Sequence, residues 1–227
     1  MVEEPKHIAI ILDGNRRWAR AQGKMPWDGH KAGFDKLKDL FKWTKELNIK
    51  ELSLYCFSTQ NFDRDPKEVS FLMDIFERAA KDVLKDKDIH NDKVKVRFIG
   101  RLSMLPEKVQ KAAKEAMEST KDYDNYIVNF CVAYGGREEI IDGVNKVLKE
   151  GIDKVDEETF KKYLYINSDP DIVIRTSGEH RLSNFLTWHT TYSEWFFLEK
   201  PWPAFEKEDL INCIEEFKEK RNRRFGK

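Results

Sequence analysis

The sequence predicts an α/β protein built on a single, mostly parallel six-stranded sheet flanked by helices. Two observations carry that expectation. Short apolar runs, several rich in β-branched residues, alternate along the chain with longer stretches of helical spacing. Several of those runs stop abruptly at polar clusters, which suits an open parallel sheet whose carboxyl rim binds ligands. At 227 residues the chain is long enough for one large domain with a sizeable core, taken as residues 1–227.

The first strand is Ile8 to Leu12, a continuous apolar run that fits burial on both faces. It ends at Asp13-Gly14-Asn15, a turn-forming trio, followed by Arg16, Arg17 and Arg20 with Trp18 among them. Gly14 lets backbone N–H groups approach an anion, and guanidinium groups clamp phosphate oxygens in bidentate fashion. A carboxylate beside that anion makes sense if Mg²⁺ bridges the two. The plainer alternative is a buried strand, an N-cap Asp and a solvated basic helix. Gly29 to Leu47 has helical spacing in Phe34, Leu37, Leu40, Phe41 and Leu47. Leu52 to Phe57 is the second strand and ends in Ser58-Thr59-Gln60-Asn61-Phe62-Asp63-Arg64. Pro66 opens a helix to about Leu84 with a wide apolar face, Pro being suited to a first turn. Val94 to Ile99 is the third strand, and a helix from Pro106 to about Thr120 follows. Ile127 to Val132 is the fourth, ending at Ala133-Tyr134-Gly135-Gly136-Arg137, with a helix to about Leu148 and a short one over Glu157 to Leu164. Asp171 to Ile174 is the fifth, ending in Arg175-Thr176-Ser177-Gly178-Glu179-His180-Arg181. Glu194 to Leu198 is the sixth, and the last helix runs from about Lys207 to Lys220.

Lys+Arg and Asp+Glu both total 41, so the formal net charge is zero. A general binder of nucleic acid or of anionic membranes would carry a basic excess, so neither is expected, although a local anion pocket is compatible. Cys56, Cys131 and Cys213 lie far apart in apolar surroundings and read as buried thiols in a reducing, cytoplasmic setting. No signal-peptide pattern and no run of membrane-spanning length is present. Neither Gly-x-x-x-x-Gly-Lys-Ser/Thr nor Gly-x-Gly-x-x-Gly occurs, which argues against a P-loop and a dinucleotide site. A phosphohydrolase with Asp13 as nucleophile would usually carry a second acid two residues on, where Asn15 stands.

Strands of one parallel sheet point the same way, so clusters following several of them converge on one rim. Arg17, Arg64, Arg175 and Arg181, with Ser183 and His30, are then placed to bind two anionic groups, and Asp13 and Glu194 to supply a metal site. Each has an ordinary alternative. Arg64 has Asp63 and Asp65 beside it to pair with, His30 lies near the start of its helix as a cap would, and Glu194 reads equally as an edge-strand carboxylate.

His7 to Arg20 closely resembles the signature of the cis-prenyltransferases, the undecaprenyl diphosphate synthase family. The resemblance continues in Tyr55–Arg64, Tyr134–Arg137, Asp171–Asn184 and Tyr192–Trp195, and on to Arg224-Phe225-Gly226, nearly the whole chain in family order. It implies a parallel-sheet α/β homodimer that condenses isopentenyl diphosphate repeatedly onto an allylic diphosphate, leaving a cis double bond each time. By motif, Asp13 resembles the carboxylate that holds Mg²⁺ on the diphosphate. Gly14, Asn15, Arg16, Arg17 and His30 resemble the allylic-diphosphate site, with Trp18 flanking the start of its hydrocarbon chain. Arg175, Arg181 and Ser183, with Leu182 between them, resemble the isopentenyl diphosphate site, and Glu194 its metal partner. Asn61 stands where the family assigns proton removal, among Ser58, Thr59, Gln60, Phe62 and Arg64. Arg224 and Gly226 match the terminal Arg-x-Gly element, which in relatives reaches the partner subunit's site; read from residues alone, the tail is a basic helix end complementing the helix dipole.

This chemistry suits the residues. Ionising a C–O bond builds negative charge on the leaving diphosphate, which Mg²⁺, arginines and backbone N–H groups stabilise. The carbocation needs shielding from water, and the helix from Pro66 to Leu84, beside Phe34, Cys56 and Val128, offers an apolar face to line a tunnel or, equally, to pack a core. Two positions depart from the bacterial pattern: Gln60 stands where an acid is common, and Pro26 where arginine is. Asp-Gly-Asn-Arg-Arg-Trp resembles archaeal and eukaryotic members, which implies farnesyl or geranylgeranyl diphosphate as primer, a glycosyl-carrier lipid precursor as product, and peripheral membrane association through it. The alternatives are a short-chain or irregular prenyl condensation, one subunit of a heteromeric enzyme, or, from another class, a phosphohydrolase using Asp13.

Overall fold

A computed structural model describes residues 4–221. The strands are β1 (His7–Ile11), β2 (Glu51–Ser58), β3 (Val94–Ile99), β4 (Tyr126–Tyr134), β5 (Ile172–Thr176) and β6 (Glu194–Leu198). They form one sheet in the order β3-β4-β2-β1-β5-β6, and every neighbouring pair is parallel. The helices are α1 (Asn15–Ala21), α2 (Pro26–Glu46), α3 (Pro66–Val83), α4 (Lys87–Asn91), α5 (Glu107–Ser119), α6 (Gly136–Lys149), α7 (Glu157–Lys161) and α8 (Lys207–Arg221).

Side chains alternate across each strand, so each face collects its own core. One face carries Ile8, Ile10, Leu52, Leu54, Ile172, Ile174 and Phe196 against α2, α8 and the buried rings of Trp202 and Phe205. Towards β3 the same layer continues as Val96, Phe98 and Val132 against α3 and α5. The opposite face carries Ala9, Ile11, Tyr55, Cys131 and Val173 under Tyr134, Ile166, Phe185 and Leu186.

Predicted and observed strands agree for β3 and β6. The fifth strand differs in a way that matters: it runs two residues further, so Arg175 and Thr176 lie inside the sheet rather than beyond it. The fourth also extends, to Tyr134. Its pairing with β2 slips between Tyr55 and Phe57 and again between Phe57 and Ser58. Such bulges re-aim side chains near sites. Here they send Phe57 to the α3 side of the sheet and turn Ser58 to the rim.

Candidate active site

The strand order reverses between β1 and β5, and ligands of open parallel sheets bind at such a switch. There Asp13 is pinned by its backbone. Its N–H donates to Thr176 Oγ1 at 3.0 Å, and its carbonyl accepts from that hydroxyl at 2.7 Å and from Trp202 N–H at 2.9 Å. Gly14 follows at φ 99°, and a Cβ on it would meet Ser177 Oγ at 2.5 Å, so both conformation and space require glycine. Gly14, not Asp13, is the N-cap of α1, and its N–H donates to Asp13 Oδ1 at 2.7 Å.

The carboxylate sits between two guanidiniums. Arg175 Nη2 donates to Oδ2 at 2.9 Å, and Arg17 Nη2 stands 3.3 Å from Oδ1. Arg175 is nearly closed to solvent and also donates to Ser183 Oγ at 2.7 Å and to the Arg181 carbonyl. Its Nε is buried with no hydrogen-bond partner among the described residues. Arg17 reaches the Ser177 carbonyl at 2.8 Å and Glu179 at 3.1 Å, and Arg181 pairs with the same Glu179. Glu179 therefore holds the two exposed arginines in reserve.

A second group forms around Glu68, in the first turn of α3. Its Oε1 accepts from Arg64 Nη1 at 3.3 Å and lies 2.9 Å from His30 Nε2, and Oε2 is 3.8 Å from Arg16 Nη1. Two of the ordinary alternatives do not hold. Arg64 pairs with neither Asp63 nor Asp65, because Asp65 caps α3 by accepting from Lys67 and Glu68 N–H. His30 does not cap α2, whose N-cap is Met25, with the Asp28 carboxylate accepting from Met25 N–H at 3.0 Å. Pro26 takes the first position of that helix, where its missing N–H is harmless.

Between the groups, residues Thr59–Asp63 form a 3₁₀ turn. Ser58 N–H donates to Asn61 Oδ1 at 3.0 Å. Thr59 and Gln60 donate to Glu138 Oε1 at 3.0 and 3.4 Å, and Asn184 Nδ2 donates to Oε2 at 2.8 Å. Glu138 thus fastens this turn to the Ser183 loop. Its pKa is held below the ordinary range: burial opposes ionisation, but the Asn184 and Thr59 hydrogen bonds outweigh it. Phe62 stacks edge-on against Phe57 at 4.9 Å and lines a cleft of about 330 Å³ with Val69, Met73 and Pro106. Trp18 lies under Lys24, and Leu182 is exposed. Seven described non-glycine residues have positive φ, and five of them, Ala133, Ser177, Ser183, Asn184 and Leu186, crowd this rim. Backbone strain of that kind persists where surroundings over-determine it, commonly at sites.

Glu194 stands apart. The register sets it opposite Ile172, level with Ile8 at the amino end of the sheet, roughly 15 Å of strand rise from Asp13. The two carboxylates do not share an ion within one chain. Among the described residues no cluster of three or more His, Cys, Asp or Glu gathers to hold a metal. A lone carboxylate such as Asp13 suits magnesium only where phosphate oxygens complete the coordination. Arg224 and Gly226 lie outside the described residues. Glu68 and Glu138 escaped the sequence reading; the only local trace of Glu68 is its i,i+4 spacing from Arg64.

Comparison with known proteins agrees with this geometry. The family model described as putative undecaprenyl diphosphate synthase matches residues 11–226. A tritrans,polycis-undecaprenyl-diphosphate synthase (geranylgeranyl-diphosphate specific) of Thermococcus kodakarensis is 48% identical over 98% of this chain and 87% of its own length. The protein of the same name from Methanopyrus kandleri is 47% identical over 98% and 85%. Among solved structures, lavandulyl diphosphate synthase of Lavandula x intermedia, in complex with dimethylallyl diphosphate, superposes with TM-score 0.88 at 35% identity over 95% of each chain. A probable undecaprenyl diphosphate synthase of Campylobacter jejuni does so at 0.83 and 33% over 99% of this chain and 100% of its own.

Proposed function

The chain belongs to the undecaprenyl diphosphate synthase family of cis-prenyltransferases, and from that premise we propose which residues perform its chemistry. It is a prenyl transferase that condenses isopentenyl diphosphate with an allylic diphosphate to give a poly-cis-prenyl diphosphate. Geranylgeranyl diphosphate is the primer of choice, on the strength of relatives named for that specificity at 48% and 47% identity. The product is a glycosyl-carrier lipid precursor.

The observation that carries the assignment of residues is Asp13 held between Arg17 and Arg175 at the strand switch. The allylic diphosphate lies over Gly14 and Asn15, takes Arg16 and Arg17 from their internal acids and engages His30. Isopentenyl diphosphate takes Arg181 and Ser183, with Arg175 anchoring their loop. Asp13 would hold Mg²⁺, which would supply positive charge against the departing diphosphate. The allylic C–O bond breaks, its carbon joins C4 of isopentenyl diphosphate, and a C2 proton leaves. Asn61 Oδ1 already accepts from Ser58 N–H, so Asn61 orients the reacting group through its amide N–H, and a diphosphate oxygen takes the proton. Arginines aimed at the leaving group do most of the electrostatic work.

Residues 1–227 act as one domain in this reading, and the enzyme works as a homodimer. Supporting the dimer, α6 exposes Ile141, Val144 and Leu148 along one face. No helix of the described residues is long and apolar enough to cross a membrane. The setting proposed is cytoplasmic, with peripheral membrane association through the product. Incubating purified protein with labelled isopentenyl diphosphate, Mg²⁺ and primers from dimethylallyl to geranylgeranyl diphosphate tests this. Long poly-cis products, made best from geranylgeranyl diphosphate, are expected. A single irregular condensation, or phosphate release without isopentenyl diphosphate, overturns it.

A further inference from the structure

Glu68 is buried, and its three nitrogen partners come from three elements: Arg16 from α1, His30 from α2 and Arg64 from the turn before α3. A carboxylate only accepts hydrogen bonds, so Glu68 makes Nε2 the protonated nitrogen of His30. A neutral ring held this way presents a lone pair at Nδ1, which repels a phosphate oxygen. His30 donates to phosphate only after gaining a second proton. The charged groups that act on the ring are Glu68, which favours that proton, and Arg64 and Arg16, which oppose it. Burial pushes the imidazole below its ordinary range despite Glu68, so the resting ring is neutral near pH 7. A diphosphate reverses the balance, because it adds negative charge and engages the two arginines.

We propose that Glu68 is a positioning residue of the allylic-diphosphate site: it fixes the His30 tautomer, and diphosphate binding then draws one proton from solvent onto His30 Nδ1, leaving an imidazolium held between the Glu68 carboxylate and a phosphate oxygen. This rests on His30 being a diphosphate ligand, as read above. The proton comes from water or buffer, and no other co-reactant is needed.

The probe is the thiolo analogue of geranylgeranyl diphosphate, whose C–S bond resists ionisation. Calorimetry near pH 7.5 in two buffers of different ionisation enthalpy counts the protons taken up. Wild type should take up about one proton more than His30→Asn, with Kd weakening towards about tenfold per pH unit as pH rises between the free and bound values of the ring. Glu68→Gln keeps an oxygen for Nε2–H and Arg64 but removes the charge. Its uptake should fall to the His30→Asn level and its Kd profile flatten, with Glu68→Asp restoring both in part. A merely structural Glu68 would weaken binding and leave the proton count unchanged. In unmutated protein, imidazole ¹⁵N shifts should pass from the Nε2–H tautomer to imidazolium on saturation. A ring that stays neutral, or equal uptake in wild type and Glu68→Gln, overturns the proposal and leaves the ligand role of His30 standing. Unchanged affinity in His30→Asn brings down that role and the proposal with it.

Discussion

At Asp13 a half-exposed carboxylate meets two guanidiniums and a backbone amide, and Arg175, its deeper partner, is almost wholly closed to solvent. Replacing Asp13 by Asn keeps the shape and removes the charge. Arg175 retains Ser183 and the Arg181 carbonyl, so the fold should survive at a cost of about 1–3 kcal/mol for one weakened charged hydrogen bond. Turnover should fall at least about 100-fold, the scale on which a lost transition-state stabiliser is felt. Isopentenyl incorporation beside a thermal melt checks this, and near-normal turnover removes Asp13 from the chemistry. Asp13, Arg17, Arg175 and Ser183 were readable as companions because each lies at or beyond the carboxyl end of a parallel strand. Glu68 was not, because an acid in a helix first turn already has an ordinary explanation in the helix dipole. Nothing in the sequence says that two other elements bring Arg16 and His30 to it.

The elements that carry this rim differ in how openly the chain declares them. β3 and β6 were legible to the residue because apolar runs with sharp ends define them. A charged residue ends an apolar run on paper, which puts Arg175 and Thr176 outside β5, whereas Asp13 neutralises Arg175 within the sheet. The seven-residue α1 and five-residue α4 are too short for periodicity to show. Phe34 of α2 is partly buried against the layer containing Cys56, Val128 and Phe130, which suits a ring bordering the hydrocarbon path. Phe34→Ala should lengthen the product distribution and leave first-condensation kinetics nearly unchanged. Unchanged chain length with a stability loss of about 3–5 kcal/mol identifies ordinary core packing instead. Behind the rim, His189 joins Asp169 at 3.1 Å to Glu139 of α6 at 3.3 Å. Burial lowers its pKa, but the two carboxylates outweigh burial and the net shift is upward from 6.5. A raised folded value means full stabilisation below about pH 6.5, lost as pH rises through that value. The melting temperature should therefore decline as pH rises above about 6.5, and His189→Asn should flatten the decline. Parallel curves for the two proteins dismiss the linkage.

Across the whole molecule, one face of the sheet is covered by α2, α3, α5 and α8, while α6, packed beyond the other, leaves Ile141, Val144 and Leu148 exposed at i, i+3 and i+7. A stripe at that spacing lies along one side of a helix and calls for a partner surface. Introducing Glu at Ile141 and Leu148 should turn a dimer into a monomer of 26.9 kDa in sedimentation and reduce turnover with it. The terminal Arg224 and Gly226 would give the proposed dimer a reason beyond packing, if they complete the neighbouring site. Removing residues 222–227 should then raise the KM for isopentenyl diphosphate without unfolding the chain. Intersubunit action has a sharper signature. A truncated chain keeps Asp13 but lacks the tail, and an Asp13→Asn chain keeps the tail but lacks the carboxylate. Each homodimer is impaired in both of its sites. Refolded together, half of a random mixture is heterodimer, in which one intact Asp13 site receives the partner's tail. Activity should exceed the mean of the two parents only if the tail crosses between subunits. A mixture that performs as that mean places Arg224 and Gly226 at their own chain's site, and the dimer then serves stability alone.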